Sequence, residues 1–269
     1  MSETTDRGVS TVLDVSLGLL LMSAAIGVVV TQTTPTPPPD RAADTATLLG
    51  TATESITYTP GPEGATYNHS RHDHGTVARL LASAAITNAS IDGQPVAPAG
   101  SYERAVTSAT KNILAGVDGQ VAVTARWAPV EDGPIAGRIR VGPSPPPDVD
   151  VHAARVVVAI DTQDWQTHHP NHTRAVAQAT VDAMFPPTRV APARVSPGED
   201  RRVINARYRA ASEAFGVDPA RPTNATSATW ANRYLAIGLA DRLADTNVTV
   251  SNRTTAPTTV EVVVYTWQS

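Results

Sequence analysis

Apolar residues along this 269-residue chain fall into three kinds of run. The first is unbroken: Val12 to Val30, VLDVSLGLLLMSAAIGVVV, has 19 residues and one charge, Asp14. As a helix it would rise roughly 28 Å, close to a hydrocarbon core of about 30 Å. The reading is a single N-terminal transmembrane helix. The polar leader before it is not the basic start of a removable secretory signal, and TQTTPTPPPD after it offers no small-x-small cleavage site.

The second kind recurs at steps of three and four and predicts helices. One runs from His74 to Ala89 on Val77, Leu80, Leu81, Ala84 and Ala85. The next opens with Ser101 as N-cap and Glu103 close behind, and continues to Gly116. Others cover Arg174 to Phe185, Glu199 to Phe215 and Ser227 to Ala244, with a short one inside Asp40 to Ile56. The third kind alternates or is short and continuous, and predicts strands. Gln120 to Pro129 pairs with Ile135 to Val141 across Asp132-Gly133. Arg155 to Ile160 reads as a central strand. Asn247 to Ser251 and Thr258 to Trp267 form a hairpin through Ala256-Pro257.

Proline divides these runs. The domain reading is a cytoplasmic leader at 1–11, the membrane helix at 12–31, a proline-rich stalk at 32–39 and an exterior domain at 40–269. Pro143-Ser-Pro-Pro-Pro either subdivides that domain near 143–150 or serves as a rigid crossover. Local strand pairs and segregated helices make the expected fold α+β, with an antiparallel sheet and packed helices. Composition adds a habitat. Lys111 is the sole lysine among 21 basic residues and the net charge is −4, which suggests a high-GC, salt-loving archaeal source. There is no cysteine, so disulfides, cysteine zinc sites and thiol catalysis are excluded.

The leader ends in Arg7-Gly8, followed by Val9-Ser10-Thr11-Val12 and the unbroken apolar run. This arrangement resembles the class III signal of archaeal type IV pilins and Tad-type pseudopilins. The resemblance implies that a prepilin-type membrane peptidase cuts between Gly8 and Val9 and that the retained helix bundles with other pilin-like subunits. It also implies an intramembrane acid for the subunit contact. In many relatives that acid is fifth in the mature chain; here Leu13 is fifth and Asp14 sixth. Ser16, Ser23 and Gly27 on one face, and Asp14, Gly18 and Ala25 near the other, let helices approach on two sides.

Six Asn-x-Ser/Thr sequons, at Asn68, Asn88, Asn171, Asn224, Asn247 and Asn252, follow the membrane run and none precedes it. They place the C-terminal domain outside the cell and the leader in the cytoplasm. Two histidine clusters carry the only hints of metal chemistry. His69, His72 and His74 flank Asp73, and His168, His169 and His172 follow Asp164. Imidazole and carboxylate suit zinc, copper or nickel, yet both clusters read as solvated loops without an established ligand spacing. Arg201-Arg202 and Arg207-Arg209 read as a solvated basic helix face. No phosphate loop, dinucleotide fingerprint, nucleophile elbow or basic-aromatic patch is present. The expectation is a non-enzymatic membrane protein without cofactor that contacts membrane lipid and pilin-like subunits but no nucleic acid. An uncleaved surface binding protein or adhesin is the alternative, and a tethered metalloenzyme the third reading.

Overall fold

The computed structural model describes residues 41–61, 70–96, 100–160, 172–196, 198–246 and 259–268. Gly8, Val9, Asp14 and the whole run Val12–Val30 lie outside them. Among the described residues no helix is long and apolar enough to cross a membrane.

The described chain begins with helix α1 (Arg41–Thr51), which buries Ala42, Ala46 and Leu49. It stops before strand β1 (Thr53–Tyr58), where β-branched Ile56 and Thr57 take over. β1 pairs antiparallel with β2 (Arg71–Thr76), from Thr53 opposite Thr76 to Tyr58 opposite Arg71, as a separate two-stranded sheet. The predicted helix start at His74 is therefore corrected. The chain is extended through Thr76, whose hydroxyl caps helix α2 (Val77–Thr87) by accepting from the Arg79 N–H.

Helix α2 is apolar nearly all round and lies in the middle of the core. Short strands β3 (Ala89–Ile91) and β4 (Gln94–Pro95) follow, then helix α3 (Ser101–Leu114). Strands β5 (Gln120–Trp127), β6 (Ile135–Val141), β7 (Val151–Ala159) and β8 (Thr259–Trp267) complete a six-stranded sheet in the order β4-β3-β6-β5-β8-β7. All of its pairings are antiparallel. The fold is α+β, as the pattern of runs predicts.

Two strand expectations are corrected. β7 is an edge strand, not a central one, and Val157 in the middle of its apolar run is 61% exposed. β8 is bonded by β5 on one side and β7 on the other, so no edge is left for a hairpin partner. The 247–251 segment lies outside the described residues.

Alternation sets the two faces of the sheet. Val121, Val123 and Ala125 register with Thr266, Val264 and Val262 on the buried face, against α1 and α2. Arg126, Arg138, Arg140 and Glu261 lie on the other face, where Glu261 pairs with Arg155. Helix α2 rides so close over β6 that a Cβ at Gly137 would meet the Ala85 carbonyl oxygen.

The remaining helices form a bundle: α4 (His172–Met184), α5 (Pro187–Val195), α6 (Glu199–Phe215), α7 (Ala220–Asn224) and α8 (Ala228–Asp245). Helices α5 and α7 are not among the predicted helices; Pro187 and Pro192 fall within the first and Pro222 within the second. Pro187 stands at a first-turn position, where its missing N–H costs nothing. At the bundle centre the Asn232 amide donates to Asp182 Oδ1 (2.7 Å) and to the Phe185 carbonyl (2.8 Å) and accepts from the Tyr208 hydroxyl (2.7 Å). Phe185 stacks on Tyr208 with ring centroids 4.6 Å apart. One continuous apolar core joins the bundle to the sheet layer.

Candidate functional site

Where the β1–β2 pair, one side of α2 and the start of α3 meet α5 and α6, a cavity of about 450 Å³ opens. That is within the usual range for small-molecule sites, ~300–1,000 Å³. Its lining comes from eight elements, β1, β2, β7, α2, α3, α4, α5 and α6, and strand alternation explains several of the side chains. On β2, Arg71 and Asp73 point into the cavity while His72 and His74, at the intervening positions, are exposed on the opposite face.

Asp73 is the polar centre of one wall. Its Oδ2 accepts from the Tyr102 hydroxyl at 2.9 Å and lies 3.7 Å from Arg189, while Oδ1 accepts from the His74 N–H at 3.0 Å. Tyr58 meets Tyr102 edge to face at 4.9 Å. Burial pushes both phenols above their ordinary range, and Asp73 adds to the effect on each. Arg71 reaches across to Asp200 in the first turn of α6 at 2.6 Å, and that bond raises its affinity for the proton. Both partners are over a third exposed, so the pair is worth about 0–1 kcal/mol and serves mainly to pin β2 to α6.

On the second wall, Glu103 Oε2 accepts from the Gly100 N–H at 3.2 Å, closing the start of α3. Gly100 is thus the N-cap in place of Ser101. Ser101 instead ties α3 to β1: its Oγ accepts from the Thr59 N–H (2.9 Å) and donates to the Thr59 carbonyl (2.6 Å). Glu103 Oε1 is buried without a hydrogen-bond partner. Burial raises the Glu103 carboxyl above the usual carboxylate range. Opposite stands Arg207, which donates from one terminal nitrogen to the Met184 carbonyl at 3.4 Å and lies 5.3 Å over the Phe185 ring. Its Nε is buried and unpartnered, and burial lowers its hold on the proton. The solvated reading of Arg207 is therefore corrected: it turns into the cavity while Arg209, two positions on, is exposed. The rest of the lining is mixed: Arg79, Ser83, Thr87 and Thr188 stand beside apolar residues such as Val158, Ile160, Val203 and Ile204.

None of the residues singled out in the sequence for a metal meets another in this cavity. His72 Nδ1 sits 2.9 Å from the Thr57 hydroxyl on the outer face of the small sheet. His69 lies outside the described residues, as do Asp164, His168 and His169, and His172 opens α4. Among the described residues no group of His, Asp and Glu forms a metal cluster. Of the sequons, Asn88 and Asn224 are exposed at helix ends, and Asn88 donates to the Arg138 carbonyl at 2.7 Å. Asn68, Asn171, Asn247 and Asn252 lie outside the described residues.

An antiparallel α+β domain with a mixed polar and apolar cavity at the seam between its sheet layer and its helical bundle is thus the class that fold and site define. The chain belongs to the family of unknown function DUF7284, whose model matches residues 13–267. No curated protein and no solved structure matches it.

Proposed function

We propose that this chain is a membrane-anchored, pilin-like surface protein: a non-enzymatic subunit of a type IV pilus-like or secretion apparatus, held by Val12–Val30 with the 40–269 domain outside the cell. The observation that carries the reading is the extent of the family match. A single family model takes in the apolar run from Leu13 onward together with the whole α+β domain, which supports treating anchor and head as one inherited unit. The leader junction at Gly8-Val9 and the acid at Asp14 add the pilin-like element. A carboxylate near the start of a membrane helix is costly, on the order of 2.5–3.5 kcal/mol at the bilayer centre and less near the interface, and contact with a positive group on a neighbouring helix offsets it.

The test is the N-terminal residue of the mature protein, taken from native membranes by mass spectrometry. A start at Val9 is expected, and Asp14→Asn should then reduce co-assembly with pilin-like subunits. An intact N-terminus, with assembly indifferent to Asp14→Asn, would sink the reading. The cavity favours a second reading, an uncleaved surface binding protein or adhesin raised on the stalk at 32–39, which retention of residues 1–8 together with a specific bound ligand would select.

A further inference from the structure

Strand β2 carries Arg71, Asp73 and Gly75 on one face, and each is answered differently. Arg71 is taken up by Asp200. Asp73 accepts from the Tyr102 hydroxyl and meets Arg189 through one long contact of 3.7 Å, which leaves the Arg189 side chain 55% exposed with donors to spare. Gly75 has no side chain, and the stem of Arg79 lies over it: the Arg79 Cδ stands 3.4 Å from where a Cβ would be. Positions 73 and 75 of a strand are about 7 Å apart, so Arg79 and Arg189 flank one short stretch of β2.

Arg79 is exposed and lines the cavity, and among the described residues its guanidinium meets neither an acid nor an acceptor; only its backbone N–H is bonded, to the Thr76 cap. Across the lining, Arg71 is set against Asp200, Arg189 against Asp73 and Arg207 against Glu103. Arg79 is the cation left over. The surplus stands whether Glu103 is ionised or neutral. Beside it lies apolar surface that solvent still reaches, on Tyr58 and Pro60, on Val158 and Ile160 at the end of β7, and on Pro186 before α5.

We infer that this cavity binds a small amphipathic oxyanion, a carboxylate or phosphomonoester on an apolar body. Its charged end takes the free guanidinium of Arg79 with Arg189 beside it, and its apolar part lies against Tyr58, Val158 and Ile160. Each of these groups keeps accessible surface, so a ligand reaches them without repacking the wall, and the buried Glu103 and Arg207 take no part. A neutral ligand leaves the Arg79 charge unanswered, and a bare inorganic anion leaves the apolar surface wet. The inference gives the binding-protein reading its ligand class and rests on that reading for its use outside the cell. The binding itself is indifferent to the leader, so the titration and the N-terminal mass measurement fail separately.

The experiment is calorimetric titration of the full chain in nanodiscs, blanked against empty nanodiscs, with 3-phenylpropionate, phenyl phosphate, the alcohol 3-phenylpropan-1-ol and inorganic phosphate. At least one of the two aromatic anions should bind about tenfold or more tightly than both the alcohol and inorganic phosphate, and the tighter of the two names the head group. Arg79→Gln should weaken that anion about tenfold or more, while Arg126→Gln, an exposed arginine on the outer face of the sheet, should leave it unchanged. Failure of both anions to bind, equal binding of the alcohol, or unaltered affinity in Arg79→Gln overturns the proposal. So does an equal loss in Arg126→Gln, which would mean diffuse surface charge. Arg79 is exposed and unpaired, so its variant should melt as the parent does; if it does not, the comparison of anion with alcohol in the unaltered protein decides alone.

Discussion

Gly137 and Gly50 show how differently one residue type is held. At Gly137 an added methyl would strike the Ala85 carbonyl and push α2 off β6, while at Gly50 nothing lies within 4 Å. Gly137→Ala should cost about 1–3 kcal/mol or more, whereas Gly50→Ala, near the end of α1, should be neutral or gain up to about 1 kcal/mol. Thermal melts of the two variants check the contrast. Ionisation is also set residue by residue. Tyr58, Tyr102 and Tyr208 all titrate above the ordinary tyrosine range, burial being the chief cause in each. The neutral phenols are favoured by the fold, so their stability contribution is whole below about pH 10 and is lost as pH rises past the unfolded value toward the folded ones. Absorbance near 295 nm should show these three of the six tyrosines ionising late, together with unfolding.

Among the elements, α4, α6 and α8 are joined by one side chain. Asn232 on α8 serves Asp182 and Phe185 near the end of α4 and Tyr208 on α6, all through bonds of 2.7–2.8 Å. Asn232→Leu keeps the number and branching of the side-chain heavy atoms but removes these bonds and adds methyl bulk at a fully buried position, so several buried polar groups lose their partners. A loss on the order of 3 kcal/mol or more is expected, read from the urea midpoint. Helices of this kind are legible from sequence because a one-sided apolar stripe has a single sensible partner, the core, and α6 and α8 fall where their stripes predict. Strand position is less legible. The run Val156-Val157-Val158 suits a strand buried on both faces, but an edge strand with one covered face carries it equally well, and only the pairing with β8 decides. Helices α5 and α7 were hidden because proline punctuates a sequence in the same way whether it breaks a helix or starts one.

At the scale of the whole molecule the cavity was almost invisible in the sequence. Its polar residues come from β1, β2, α2, α3, α5 and α6, spread from Tyr58 to Arg207, and no spacing between neighbours marks them. The one available cue was the alternation Arg71-His72-Asp73-His74. The histidines drew notice for their chemistry, while the acid between them faces the cavity. Single-sequence reading finds chemistry carried on one element; a site made by packing appears only once the elements are placed.

β8 lies between β5 and β7, yet it is made about a hundred residues after β7. A ribosome therefore releases the first part of the sheet and its eventual edge strand with nothing to join them. Both present bare backbone until the joining strand arrives. If the domain is exported, the order of synthesis itself delays closure of the sheet, leaving a chain still open enough to be threaded across a membrane. Anything that halts translation before Thr259 would deliver raw strand edges to the quality-control proteases instead of a domain.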